Sequence, residues 1–325
     1  MGRKRRSKKI KNNGLKNAIF IICLILMGVA IYYMKNPIKT MIEYNTEIKD
    51  KIDIEDDEKE EINSNQNIEN DEDEDSNTNN YNSFKKNKYY KLKNLERYIE
   101  YKNNNPSLSD EDVIVKVNIG LDYKFYTYIN DADTSKDYKL LVNKYYKLGK
   151  DYAFNDLEEI NSEYFINGNL YVRKLRKDAK EAFEKLSKDS IANGTPVYGQ
   201  SGYRPYSMQE SLYNNAVDSM GRDAADNDTA RPGHSEHQTG LAIDVSSTKS
   251  GNMLNFINTD SYTWMKDNAH KYGFILRYTE GYENIHGFIF EPWHYRYVGV
   301  DIATDMYKNY PNMTYEEYYV RFIDK

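Results

Sequence analysis

The side chains best suited to chemistry are two histidines and an aspartate in two short segments. His237 lies in the polar run GHSEHQTGLAID (233–244), and His294 lies in EPWHYRY (291–297). Asp244 ends the first run. Two neutral imidazoles and one carboxylate are a recognised ligand set for catalytic zinc, with a fourth position left open for water. These residue types therefore suit a zinc site, although a single His or Asp is more often a hydrogen-bonded structural group.

Two further charged residues could turn a metal site into a hydrolytic one. Zinc lowers the pKa of a bound water to about 7, and a carboxylate beside the metal can then act as a general base. Glu291, three residues before His294, fits that role. Arg204, in SGYRPY, is a candidate for the cation that stabilises an oxyanion. The structural alternatives are a surface carboxylate for Glu291 and a surface or carboxylate-paired cation for Arg204.

Short strands and a bend must bring these groups together. Residues 241–245 (LAIDV) predict a strand in which Asp244 interrupts an otherwise apolar sequence. A carboxylate in that position is costly unless it is paired or binds a metal. Pro292 argues against a helix between Glu291 and His294. These two side chains can therefore converge only if the backbone bends between them.

The rest of the chain predicts separate helices and strands without a regular alternation, so the predicted fold class is α+β. Helical spacing or helix-start signals predict helices over 171–192, over 207–220 with a Ser207–Glu210 capping box, and over 261–272. Strands are predicted within 196–204, 274–278 and 293–298, and also within 113–129, where β-branched and aromatic residues alternate with polar ones.

The N-terminal third predicts a single-pass membrane anchor. Residues 1–17 form a basic tail, and residues 18–34 carry no charge and are just long enough to span a bilayer. This charge arrangement predicts a cytoplasmic N-terminus and an extracellular C-terminal part. A cleaved signal peptide is the alternative, but no small-residue cleavage site follows the apolar run. Residues 35–90 are acidic and polar, and they predict a disordered linker before a domain over 91–325.

Composition excludes several other classes of protein. Cys23 is the only cysteine among the 325 residues, so neither an intrachain disulfide nor a cysteine-based zinc site is possible. The net charge is −6, and the basic residues concentrate in the tail rather than in the folded part. We therefore expect no nucleic-acid partner. We expect a monomer.

Three sequence blocks together resemble the VanY-type D-alanyl-D-alanine carboxypeptidases, within the wider group of lysostaphin-like and hedgehog-like zinc peptidases. The blocks are SGYRPYSMQESLYN, RPGHSEHQTGLAIDV and EPWHYRYVG. The pattern of the family is SxHxxGxAxD followed by ExxH, and every fixed position of it is present in 235–244 and 291–294. The resemblance covers roughly residues 110–300.

This resemblance implies a fold and a metal site. The family fold is α+β, with a small antiparallel sheet that carries the site and helices that flank it. By analogy, zinc would be bound by His237, Asp244 and His294, and Glu291 would be the catalytic base.

The resemblance also implies a substrate and the residues that contact it. Arg204 would bind the substrate carbonyl and its developing oxyanion, and Ser235 and Gln209 match positions that contact the substrate. The implied reaction removes C-terminal D-alanine from the stem peptides of peptidoglycan. The alternatives are an L,D-carboxypeptidase or cell-wall endopeptidase of the same fold, and a non-catalytic zinc-containing module that binds the cell wall. Glu291 and Arg204 favour an enzyme, because a binding module needs no base beside its metal.

Overall fold

The computed structural model describes residues 83–166, 173–251 and 253–324. The predicted tail (1–17), the predicted anchor (18–34) and most of the predicted linker lie outside these residues. Within the described ranges, every helix is too short or too polar to cross a bilayer. Phe84 and Tyr89 are buried in a hydrophobic cluster, so the folded part includes residues 83–90, which we predicted as the end of the linker.

Helices and strands both contribute to the described part of the chain, as the α+β prediction requires. In chain order its α-helices are α1 (Leu95–Asn104), α2 (Asp110–Ile119), α3 (Lys177–Ala192), α4 (Tyr206–Met220), α5 (Arg222–Asp228), α6 (Asp260–Asn268), α7 (Glu283–His286), α8 (Val300–Asn309) and α9 (Tyr315–Tyr318). Short 3-10 helices occupy Leu92–Asn94, Thr134–Lys139, Ser162–Tyr164, Glu236–Thr239, Met253–Asn258 and Ala269–Tyr272, and a π-helix occupies Tyr319–Ile323.

The strands form one four-stranded sheet and two small pairs. They are β1 (Asn130–Asp131), β2 (Tyr146–Lys147), β3 (Leu157–Glu159), β4 (Lys174–Arg176), β5 (Tyr198–Ser201), β6 (Ala242–Ser246), β7 (Phe274–Leu276) and β8 (His294–Tyr297). The four-stranded sheet has the order β5-β6-β8-β7, and its neighbouring strands are all antiparallel. β1 pairs with β2 in parallel, and β3 pairs with β4 antiparallel.

The register of the central strands decides which side chains meet. Asp244 on β6 pairs directly with His294 on β8. Directly paired residues point to the same face of a sheet, with Cβ atoms about 4.5–5.5 Å apart. Ile243 and Tyr295 are also paired, and they occupy the opposite face, in the main hydrophobic core. The alternation predicted for 241–245 is therefore confirmed, with the carboxylate on the face away from that core.

Helices α3 and α6 cover the apolar face of the sheet. Phe183 of α3 meets Phe274 of β7 edge-to-face, with ring centroids 6.2 Å apart. Met265 of α6 joins the same buried cluster. Burying a side chain of this size contributes roughly 1.5–3 kcal/mol, so this packing holds the sheet rigidly beneath its polar face.

The strand prediction for 113–129 is wrong, because residues Asp110–Ile119 form helix α2 and residues 120–129 form turns and bends. The Ser109 hydroxyl caps the helix by accepting from the Asp112 amide, and three acidic residues lie in the first turn. Gly120 ends the helix with φ of 106°, a left-handed conformation that favours glycine. End signals and burial on nearly all sides thus outweigh the β-branched composition.

Two other predicted helices begin at different residues. α4 starts at Tyr206, and its N-cap residue is Pro205, so the predicted capping box at Ser207 is wrong. Pro205 is extended there, with φ of −66° and ψ of 158°, and no side-chain hydrogen bond caps the helix. α3 starts at Lys177 instead of 171, because Lys174–Arg176 pair with β3.

Candidate metal and peptidase site

Three buried donor groups lie close enough together to share one metal ion. One ligand atom from each of His237, Asp244 and His294 lies within 4.8 Å of the other two. Nε2 of His237 is 3.3 Å from Asp244 Oδ2, and Nδ1 of His294 is 3.1 Å from Asp244 Oδ1. Two imidazoles and one carboxylate form the donor set of a catalytic zinc site. The predicted zinc ligands are thus brought together as a set that fits this metal.

The position of His237 is set by its own 3-10 helix and by a hydrogen bond from its ring to the backbone of Gly202. It lies in the 3-10 helix Glu236–Thr239, which ends at Gly240 with φ of 67°. A Cβ at Gly240 would lie only 2.6 Å from a methyl carbon of Leu157, so the turn needs glycine for space as well. The His237 Nδ1 lies 2.7 Å from the carbonyl oxygen of Gly202. Because a carbonyl only accepts, Nδ1 carries the proton, and the lone pair of Nε2 faces Asp244.

The charges of the site favour a bound cation. Burial opposes ionisation of Asp244, but the two histidines outweigh burial and lower the pKa of Asp244 well below its usual range. Burial lowers the pKa of His237. Burial also acts to lower the pKa of His294, but hydrogen bonds to Asp244 and Glu236 raise it to about 9. A buried, ionised carboxylate between two imidazoles attracts positive charge, which a metal ion would supply.

Glu291 approaches the donor set through a turn. The His294 amide donates to the Glu291 carbonyl oxygen over 3.1 Å, which closes a bend across Pro292 as the sequence required. Glu291 Oε2 lies 3.7 Å from His294 Nδ1. Burial, reinforced by the negative charges of Asp244 and Asp228, raises the pKa of Glu291 to about 8. Glu291 is therefore beside the donor set and suited to exchanging a proton near neutral pH.

Arg204 lies next to Asp244 at the edge of the donor set. Its guanidinium donates to Gln209 Oε1 over 2.8 Å and to Ser201 Oγ over 3.1 Å, and its Nη2 lies 3.7 Å from Asp244 Oδ2. The Arg204 amide donates to the carbonyl oxygen of His237, which ties the loop to the metal-binding segment. These contacts fix the orientation of a cation whose remaining N–H groups can bind a substrate oxygen.

All seven predicted site residues line one cavity of about 430 Å³. They are Arg204, Gln209, Ser235, His237, Asp244, Glu291 and His294. Among the described residues that line this cavity, Arg204 is the only lysine or arginine. Buried Gln209 also donates to the Ala230 carbonyl oxygen over 2.7 Å, so both the oxygen and the nitrogen of its amide have a partner at the wall.

Three lining residues with ionisable side chains were not predicted from the sequence. The Tyr278 ring packs against His294 with centroids 4.8 Å apart. Asp228, at the end of α5, contributes an exposed carboxylate to the cavity. Glu236 lies behind His294, with the two side chains 3.4 Å apart. Its position between Ser235 and His237 in the motif was the available signal, but the direction of its side chain depends on the 3-10 turn.

Comparisons with known proteins agree with this geometry. The family model described as VanY: D-alanyl-D-alanine carboxypeptidase matches residues 172–300. The putative carboxypeptidase YodJ of Bacillus subtilis (strain 168) is 40% identical over 181 residues, which are 55% of this chain and 66% of YodJ. A D-alanyl-D-alanine carboxypeptidase of Enterococcus faecium is 32% identical over 187 residues, which are 55% of this chain and 56% of that protein. The chain thus spans less than two thirds of the length of these curated relatives.

A solved structure gives the same result for the fold. The LdcB LD-carboxypeptidase is 35% identical, and the match covers 60% of this chain and 92% of LdcB with a TM-score of 0.55. The matched family segment contains the four-stranded sheet and all seven site residues. The motif, the geometry of the site and these matches agree, and the chain belongs to the VanY family.

Proposed function

We propose that this protein is a zinc-dependent D-alanyl-D-alanine carboxypeptidase that trims C-terminal D-alanine from peptidoglycan stem peptides. The observation that carries the proposal is the placement of Glu291 and Arg204 beside the buried donor set, in the wall of one cavity. The names of the matched relatives support a carboxypeptidase.

The donor set provides the metal-binding part of the proposed mechanism. His237, through Nε2, Asp244, through its carboxylate, and His294, through Nδ1, would hold the metal ion. When bound, zinc supplies a water of lowered pKa and polarises the carbonyl of the scissile peptide bond. All three donors are buried, with at most 5% of their surface exposed.

Glu291 provides the proton transfers. Its carboxylate accepts a proton from the attacking water as the new C–O bond forms at the scissile carbonyl. It then returns that proton to the nitrogen of the departing D-alanine as the C–N bond breaks. A pKa raised to about 8 by burial and nearby carboxylates suits a group that must accept and release a proton in one cycle.

Arg204 provides a fixed positive charge in the cavity that Glu291 also lines. The proposed substrate is itself a carboxylate, and its scissile carbonyl gains negative charge in the tetrahedral intermediate. The hydrogen bonds from Arg204 to Gln209 and Ser201 hold the guanidinium in place before substrate arrives. Such preorganised donors act most strongly in a site that excludes water. Ser235, buried at the cavity wall, is proposed as a further substrate contact.

An L,D-carboxypeptidase is the second candidate, and a specific observation favours it. The match to the LdcB LD-carboxypeptidase extends over 92% of that chain. Both activities use the same chemistry and differ in the residue before the scissile bond. A non-catalytic module is disfavoured because both Glu291 and Arg204 line the cavity.

Defined peptides distinguish these candidates. The full-length protein in detergent, loaded with zinc, is incubated with a stem pentapeptide ending in D-Ala-D-Ala and with a tetrapeptide ending in one D-Ala after a dibasic L-residue. Mass spectrometry then follows the products. Loss of one D-alanine from the pentapeptide supports the proposal, and loss only from the tetrapeptide supports the alternative. If both peptides stay intact, neither activity is correct.

A further inference from the structure

Glu236 is a fully buried carboxylate with three polar partners. One oxygen, Oε1, accepts from Arg277 Nε over 2.9 Å and from Arg296 Nη1 over 2.8 Å. The other oxygen, Oε2, lies 3.4 Å from Nε2 of His294. The side chains of Glu236, Arg277 and Arg296 have no exposed surface at all. A carboxylate buried this deeply is costly unless its partners are well placed.

Charge compensation explains the contacts of only one of the two Glu236 oxygens. Arg277 is also paired with Glu316, at 2.6 and 2.9 Å, so buried arginines and glutamates balance each other. That balance needs only Oε1 of Glu236. The remaining oxygen is directed at the imidazole of a metal-ligand residue, although the two residues are 58 positions apart in sequence.

The tautomer that His294 needs for metal binding explains the contact between Glu236 and His294. Nδ1 of His294 faces Asp244 and must offer a lone pair to bind a metal, so its proton must be on Nε2. An ionised carboxylate only accepts hydrogen bonds, and it therefore selects the tautomer with Nε2 protonated. His237 has the opposite tautomer, because the Gly202 carbonyl accepts a hydrogen bond from Nδ1 and so keeps the proton there. Each of the two imidazoles thus has an acceptor behind it and a free lone pair in front.

We propose that Glu236 is a positioning residue of the metal site: it orients the His294 ring and fixes its tautomer, and Arg277 and Arg296 in turn hold it in place. This inference rests on the proposed function, because it presumes that His294 binds the metal. It adds a second carboxylate, besides that of Asp244, to the residues on which metal binding depends.

The test measures zinc affinity directly. Full-length wild-type protein, Glu236→Gln and Glu236→Asp are stripped of metal, and zinc is titrated in competition with a chromogenic chelator. Outer partners of metal-bound histidines typically contribute about 10–100-fold in metal affinity, and we expect a loss of that size in both variants. Glu280→Gln, an exposed glutamate outside the cavity, is the matched control and should bind zinc as wild type does.

The two variants separate positioning from folding. Glu236→Gln removes the charge that the arginines need, and circular dichroism reports whether it folds. Glu236→Asp keeps that charge and withdraws the carboxylate from His294, so it decides the question if the glutamine variant does not fold. Wild-type zinc affinity in a folded variant would overturn the inference while leaving the proposed function intact. A wild-type protein that takes up no zinc would instead overturn the proposed function and this inference with it.

Discussion

Glu291 and His294 are close because of a turn, and this geometry defines a test of the base. Glu291→Gln keeps the size of the side chain but can no longer accept a proton. General-base catalysis contributes about 10²–10⁴-fold, so we expect kcat to fall by that factor. Zinc content, measured by elemental analysis, should stay at the wild-type level because the three ligands are unchanged. Wild-type turnover in this variant would show that the assigned role is wrong.

Arg204 can be tested by a change that keeps the positive charge. Arg204→Lys loses the planar fork that now contacts both Gln209 and Ser201. Removing a preorganised oxyanion donor costs about 10²–10³-fold in kcat, and we expect a loss of this order in steady-state peptide hydrolysis. Arg222→Lys, at an exposed position on α5, is the control. Equal kcat in both variants would contradict an oxyanion role for Arg204.

His234 predicts an acid-sensitive stability that is independent of the metal. Burial lowers the pKa of His234 to about 4, and its Nδ1 lies 2.7 Å from the Asn143 carbonyl oxygen. An unfolded histidine titrates near 6.5. Between these values the unfolded state binds a proton that the folded state does not, so stability is complete above pH 6.5 and falls as the pH drops to 4.

The size of that loss follows from the pKa difference. We expect about 3 kcal/mol less unfolding free energy at pH 4 than at pH 7 from His234 alone. Urea unfolding of metal-free wild type and of His234→Gln at both pH values isolates this contribution, since all other groups are shared. Identical pH dependence in the two proteins would contradict the prediction.

Among the elements, the short C-terminal helix α9 supports the site from outside the family segment. Its Glu316 has no exposed side-chain surface and binds Arg277, the arginine that also binds Glu236. The family model ends at residue 300, so this support lies beyond the matched part. α9 thus connects the end of the described chain to the face of the sheet that carries the donor set.

Glu316→Gln tests that connection. It leaves the buried Arg277 with one counter-charge fewer, and breaking a buried ion pair costs about 3–5 kcal/mol. We expect a loss of that order in the free energy of unfolding, measured by urea denaturation. Glu100→Gln, at an exposed position on α1, should change it little. Equal stability of the two variants would show that the ion pair contributes no net stabilisation.

At the scale of the whole molecule, the N-terminal sequence predicts where the protein is located. We propose that residues 18–34 anchor the protein in the cell membrane with the domain outside. Deleting residues 1–34 should then move the protein from the carbonate-washed membrane pellet to the soluble fraction, as judged by immunoblotting. Deleting 50–75 leaves the apolar run in place and should leave the protein in the pellet. A 1–34 deletion that remains in the washed pellet would contradict the proposal.

Sequence by itself determined the residues of the candidate site and the family. The first motif places four fixed residues within ten positions: Ser235, His237, Gly240 and Asp244. Its residue types and spacing can be recognised without knowledge of the fold. The short strand around Asp244 was also predictable, because alternation of apolar residues is a local property. These features depend on neighbours in the chain, which is why a single sequence contains them.

Tertiary structure decided what depends on distant neighbours. The β-branched residues of α2 favour a strand locally, but capping and burial against other segments select a helix. The pairing of Asp244 with His294, 50 positions apart, comes from the register of the sheet. Glu236 reads in sequence as one polar residue among several, and only packing against Arg277 and Arg296 directs its second oxygen at His294. Side-chain direction follows from long-range packing, and a linear pattern does not contain it.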